Sequence, residues 1–237
     1  MYNPDPMVSR PAVKYPPVAS RDTKRSNRRP QREAPLMRKY AVACLTGNGM
    51  TANSEHLAPL SLGFDTAFSA VSHSSLIYSP SGPIQASDLL PGDEVSCASG
   101  DTRRVIWIGS MTGYPNAGTL GMPDFRLYRV SSDSFGLDCP MGDTLLGPGA
   151  YLNGSRFEHT AIEDTVDDDQ IFEVFPQSPV RLYHVMLDKP DSLLVNGLAV
   201  ESYVPDQEIL ETMSRNGRAL FASLFSNLTA DHFLAAK

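Results

Sequence analysis

Hydrophobic and polar residues alternate along this chain in many short runs, each closed by a turn residue. Arg38-Lys-Tyr-Ala-Val-Ala-Cys-Leu45 alternates and stops at Thr46-Gly-Asn-Gly49. Phe125–Val130, Val180–Val185 and Leu193–Val195 alternate in the same way. Leu76-Ile-Tyr78, Glu94-Val-Ser-Cys97 and Arg104–Ile108 are short runs bounded by Pro80-Ser-Gly82, Ser99-Gly-Asp101 and Gly109. A period of two marks a strand with one buried face, and frequent Gly and Pro punctuation predicts an all-β architecture. Residues 50–63 carry weaker alternation and read as a loop ending at Pro59, with Phe64 to Ala70 leading into the next strand. Trp107, the only Trp, lies mid-strand between Ile106 and Ile108. Side chains alternate across a strand, so Trp107 faces one way and the two Ile the other; burial of all three requires a wrapped sheet.

The period changes after residue 204. Asp206 is placed to cap a helix through Glu208–Met213, which Gly217 is expected to interrupt. Phe221, Leu224, Phe225 and Leu228 recur at i, i+3, i+4 and i+7, one helical face that can pack on the β body or meet a partner.

Charge alters the picture at the other end. Residues 1–39 hold ten Lys and Arg against three Asp and Glu, or +7; with −7 overall, residues 40–237 carry −14. Seven prolines fall within residues 1–35. Such a stretch has too little apolar surface to offset the entropy of ordering, so it reads as an extended arm. Arg21, Lys24, Arg25, Arg28, Arg29 and Arg32 form its basic cluster, with Tyr2 and Tyr15 as apolar anchors. An acidic protein surface suits this arm better than nucleic acid, which the acidic body would repel. Binding should weaken with salt, since screening acts over about 8 Å at physiological ionic strength. The expected divisions are an arm at 1–37, a β-domain at 38–204 and a helical tail at 205–237, with the β-domain folded when the arm is deleted.

Cys44, Cys97 and Cys139 are three, far apart and without a Cys-x-x-Cys, which argues against a disulfide framework or a zinc site. The Glu163–Asp169 acidic run lacks the spaced ligands and central Gly of a calcium loop. No metal or cofactor is expected. No apolar run reaches the ~18 residues of a membrane span, and the N-terminal residues are not those of a signal peptide, so a cytoplasmic location is expected. His184, on an apolar strand, reads as a hydrogen-bonded core histidine.

Five blocks in order resemble a bacterial Hint domain, the self-processing module shared by Hedgehog proteins and inteins. They are Leu76–Val95 with its Asp88-Leu-Leu-Pro-Gly-Asp-Glu-Val95, then Trp107-Ile-Gly109, Asp143-Thr-Leu-Leu-Gly-Pro-Gly-Ala150, Val180–Asp188 and Leu194–Ser202. The resemblance spans about residues 60–204 and implies a wrapped β fold. It also implies chemistry: a Cys or Ser attacks the preceding carbonyl while a His polarises that amide. On this alignment the nucleophile position holds Ala70, the block His position holds Ala150 and the last active-site block holds Pro190. None offers a nucleophile, acid or base. The expectation is therefore a non-catalytic scaffold that docks through its arm and its C-terminal helix. The alternative is autoprocessing through Ser69 or Ser72, with His73 as the nearest base. Asn196-Gly197 reads as a turn beside the last strand.

Overall fold

A computed structural model describes residues 36–115, 124–154, 156–205 and 207–225. The chain divides into two units, Met1–Ala34 and Pro35–Lys237, and the described residues belong to the second. The basic arm, Asp206 and Leu228 lie outside the described residues.

A hairpin opens the fold, β1 (Met37–Leu45) and β2 (Thr51–Pro59), followed by helix α1 (Leu62–Phe68). Short strands follow: β3 (Val71–Ser72), β4 (Leu76–Ile77), β5 (Ile84–Gln85) and β6 (Glu94–Ser96). Then come the long β7 (Thr102–Gly113), β8 (Leu127–Val130), β9 (Thr144–Leu146), β10 (Tyr151–Leu152) and β11 (Thr160–Ala161). The last strands are β12 (Ile171–Val174), β13 (Val180–Leu187), β14 (Ser192–Val195) and β15 (Leu198–Glu201). Two helices, α2 (Gln207–Thr212) and α3 (Arg215–Ser223), complete the described chain. A nine-stranded sheet runs β12-β8-β9-β3-β13-β7-β1-β2, with β6 also on β7; a six-stranded sheet runs β11-β10-β15-β14-β4-β5. The fold is all-β, as expected.

Residues 51–59 form a strand, not the expected loop. They pair with β1 from Leu45↔Thr51 to Met37↔Pro59. Alternation is faint there because the strand lies at a sheet margin and its inward residues are small or polar (Ala52, Ser54, His56, Ala58). The expected lead-in after Phe64 is a helix, and Phe64, Ala67 and Phe68 are its buried face at i, i+3 and i+4. Gly217 does not break the tail. The break comes at Ser214, whose Oγ accepts from the Gly217 N–H (3.1 Å) as the N-cap of α3.

Two hydrophobic clusters fill the body. The first is mostly aliphatic and includes Val71, Ile77, Val105, Ile108, Leu146, Val185, Leu193 and Val200. The second is aromatic and surrounds Trp107. Phe225 stacks on its ring at 4.9 Å, Phe68 meets it edge-on at 5.4 Å, and Tyr203 lies at 5.7 Å. Its Nε1–H donates to the Leu224 carbonyl (3.1 Å). Trp107, Ile106 and Ile108 are all buried, as a wrapped sheet requires. Ile106 does not share the side of Ile108, however. Met186 pairs with Trp107 and Leu187 with Val105, so a bulge leaves Ile106 as the extra residue, and it joins the Trp107 cluster. Phe221, Leu224 and Phe225 are buried in this cluster, so the tail's apolar face is occupied by the chain itself.

Candidate functional site

The Ser69–Ala70 peptide follows α1 and enters β3, where antiparallel pairing sets Val71 opposite Tyr183. The Ala70 N–H donates to the Tyr183 carbonyl (3.0 Å). From the other side, the Gly147 N–H donates to the Ala70 carbonyl and the Gly149 N–H to the Ser69 carbonyl, each at 2.9 Å. The loop before β10 is thus laid flat on this peptide. Only glycine permits the approach: a Cβ at Gly147 would stand 2.2 Å from the Ser69 carbonyl oxygen, and one at Gly149 2.0 Å from that of Thr66. Ala150 closes the loop through its N–H to the Gly147 carbonyl (3.0 Å) and is fully buried.

Two of the three positions carried by the resemblance therefore meet. Ala70 and Ala150 belong to one hydrophobic cluster, and both are closed to solvent. Pro190 does not join them. It lies exposed in the turn between β13 and β14. From Tyr183, beside Ala70, to the end of β13 at Leu187 is already about 13 Å at strand rise.

The candidate serines are engaged elsewhere. Ser69 Oγ donates to the Asp65 carbonyl (2.6 Å), and the residue is fully buried. Ser72 Oγ shares hydrogen bonds with Ser75 Oγ (3.0 Å) and Ser74 Oγ (3.4 Å). His73 is exposed, and among the described residues no hydrogen bond joins its ring to either serine.

The imidazole that does reach this region is His184. Its Nδ1 lies 3.0 Å from the Thr66 carbonyl, the Glu201 carbonyl also faces the ring, and the Tyr203 ring sits 4.9 Å away. Burial pushes its pKa down to about 4, outweighing the two carbonyls that favour the charged form. It is a neutral, buried pin between α1 and β13, as its apolar strand implied.

A second polar group went unnoticed in the sequence. Arg38 meets Asp65 at 2.7 Å, and Tyr40 Oη donates to the same carboxylate at 2.7 Å. Burial pushes the Asp65 carboxyl up, against the Arg38 guanidinium and the Tyr40 hydroxyl, and burial and that carboxylate push the phenol well above its usual range. The only signal was an Arg at the start of an alternating run and an Asp inside a helix twenty-seven residues later.

Cys44, Cys97 and Cys139 form no disulfide among the described residues. Burial, then Asp191, pushes Cys97 up to about 12, and burial also raises Cys139. Neither is a thiolate near neutrality. Asn196 (φ 48°) and Gly197 (φ 93°) form the two-residue hairpin turn between β14 and β15, as expected. Among the described residues no cluster of His, Cys, Asp or Glu could hold a metal ion, and no helix is long and apolar enough to cross a membrane. The proposed partner-binding residues Tyr2, Tyr15, Arg21, Lys24, Arg25, Arg28, Arg29 and Arg32 lie outside the described residues.

The Hint domain family matches residues 70–207, beginning on Ala70 itself. The chain belongs to that family. Among solved structures it is similar to the MchDnaB-1 intein, at 16% identity over 56% of this chain and 100% of that one, with a TM-score of 0.41. The gp41-1 intein gives 12% identity, 56% and 98% coverage and a TM-score of 0.39. A bacterial intein-like domain from Clostridium thermocellum gives 8%, 57% and 99%, and 0.42. No curated protein matches the chain.

Proposed function

We propose that this Hint-family protein is a non-catalytic scaffold, a structural or interaction subunit rather than a self-processing enzyme. One observation carries the reading: buried methyl groups stand at both positions where the chemistry needs a nucleophile and an imidazole. Acyl transfer out of the Ser69–Ala70 peptide requires attack on the Ser69 carbonyl, and the Ala70 side chain has no atom that can attack. The same peptide is held by backbone hydrogen bonds on both sides, its N–H to the Tyr183 carbonyl and its carbonyl from the Gly149 N–H. Ser69 has committed its hydroxyl to the Asp65 carbonyl, and among the described residues the Ser72 hydroxyl bonds to Ser75 and Ser74 and to no imidazole.

Docking falls to the basic arm, whose cations and prolines suit an acidic protein surface. The α3 face is less suited, because its apolar residues are used within the chain. Three cysteines outside any disulfide support a reducing, cytoplasmic setting. The proposed divisions are an arm at 1–37, a β-domain at 38–204 and a tail at 205–237; because β1 begins at Met37, a deletion that spares the hairpin should stop at Pro35.

The experiment is intact-mass measurement after prolonged incubation with hydroxylamine or a thiol, which intercept esters and thioesters. Separation must be denaturing, because a fragment ending at Phe68 (Ser69 as nucleophile) or Val71 (Ser72) would stay bound through β1. A single species at 25.8 kDa is expected. A fragment of about seventy residues, lost on Ser69→Ala or Ser72→Ala, would establish autoprocessing instead.

A further inference from the structure

β2 is the one long sheet margin among the described strands. It has nine residues, whereas β5, β6, β11 and β12, at the other margins, have two to four. The far edge of the same sheet, β12, is also guarded by charge, with Glu173 paired to Arg126 at 3.3 Å and Arg129 over the Phe172 ring. β2 is guarded less: its single acidic residue is Glu55, paired to Lys39 of β1 at 2.7 Å. It carries no Lys or Arg and no bulge, and its Pro59 comes only at the end. Edges of this kind are normally short, charged or covered, because their free N–H and C=O groups template another strand.

The phase of the hairpin says which groups are free. The Thr46 N–H bonds to the Met50 carbonyl (2.8 Å) and the Leu60 N–H to the Leu36 carbonyl (2.9 Å). Bonded and non-bonded pairs alternate in an antiparallel ladder. The residues that turn both backbone groups outward are therefore Thr51, Asn53, Glu55 and Leu57. All four are exposed, Leu57 at 65%.

We propose that β2 pairs antiparallel with β2 of a second copy of this chain, joining two nine-stranded sheets across a two-fold axis. The axis falls at Ser54. That register sets Thr51 against Leu57 of the partner subunit and Asn53 against Glu55 of the partner subunit. All four outward residues are then used, with about eight backbone hydrogen bonds at two per bonded pair. Moving the axis to Glu55 would set that carboxylate against Glu55 of the partner subunit, and like charges directly opposed are destabilising. Chemistry and hydrogen-bond count select the same register. The interface is isologous and closed.

The test is sedimentation of the full chain across a concentration series, with hydrogen exchange on the same samples. The expected result is a dimer in which the amides of residues 51, 53, 55 and 57 are protected. Asn53→Pro removes an outward donor without touching the β1 ladder and should weaken the dimer. Asn53→Glu should weaken it and Asn53→Lys tighten it, each by up to roughly tenfold, because the two-fold axis repeats the cross-strand charge term. Unchanged Trp107 emission shows that each variant is folded. A monomer at every concentration overturns the proposal, whether or not its edge amides are protected. A dimer indifferent to all three variants places the interface elsewhere and also overturns it.

Discussion

The two hydrophobic clusters draw on different stretches of chain. Every buried member of the aliphatic cluster lies between Ala70 and Val200, inside the family match. The aromatic cluster takes Tyr40, Val42, Phe64 and Phe68 from before the match and Phe221, Leu224 and Phe225 from after it, and sets them around Trp107 and Tyr203. A Hint body supplies one core complete. The other is shared, half Hint sheet and half flanking hairpin and helices. Sequence outside a family boundary can therefore be as integral to a fold as sequence within it. The flanks here also fasten themselves with specific polar contacts, Arg38–Asp65–Tyr40 at one end and the Trp107–Leu224 bond at the other.

The most severe test is to remove a flank. A chain beginning at residue 70 would expose Trp107, Met111 and Leu182 and strip β1 from β7. Loss of cooperative unfolding is expected; a soluble fragment with a sharp transition and blue-shifted Trp emission would show that the two cores are independent. Next, Trp107→Ala should cost about 3–5 kcal/mol in urea unfolding, the usual range for emptying a large aromatic site. The native protein should emit in the blue and shift red on unfolding.

His184 sits on the seam between flank and body and makes it sensitive to pH. Its folded pKa, about 4, lies below the ordinary value of 6.5. The unfolded chain thus binds the proton first, and stability present above pH 6.5 is lost as pH falls toward 4, then levels. The shift corresponds to about 3 kcal/mol. Subtracting the pH profile of His184→Gln from that of the unmodified protein should isolate this slope, and identical profiles would remove His184 from the account. The smallest effect is expected on the hairpin surface. Lys39 and Glu55, both mostly exposed, pair at 2.7 Å, and Lys39→Ala should change stability by about 1 kcal/mol or less.

The first core was legible in the sequence because its elements repeat with period two and end at Gly, Pro or Asn-Gly. The turn at Asn196-Gly197, the burial of His184 and the wrapped surroundings of Trp107 all followed from local pattern. The second core was only half legible. Phe221, Leu224 and Phe225 displayed a helical face, but Phe64, Ala67 and Phe68 carry the same spacing over one turn, too short to stand out. β2 was hidden because an edge strand need not alternate strongly, and the bulge at Ile106 because it depends on where β13 slips against β7. Of the candidate positions read from the resemblance, Ala70 and Ala150 fall in one hydrophobic cluster, while Pro190 lies apart in the turn between β13 and β14. Arg38–Asp65–Tyr40 needed three dimensions to be seen.

The glycine loop over Ser69 and Thr66 also bears on how this protein can change. Placing a thiol at residue 70 is a single substitution into a site that already holds a side chain. Placing an imidazole at residue 150 means adding a ring where Ala150 is fully enclosed, beneath a loop pressed against α1 at less than the width of one methyl group. Overpacking of that kind forces neighbours and backbone to move. On the non-catalytic reading proposed above, fitting an imidazole at residue 150 would have to lift α1 or the loop as well, at a cost in stability.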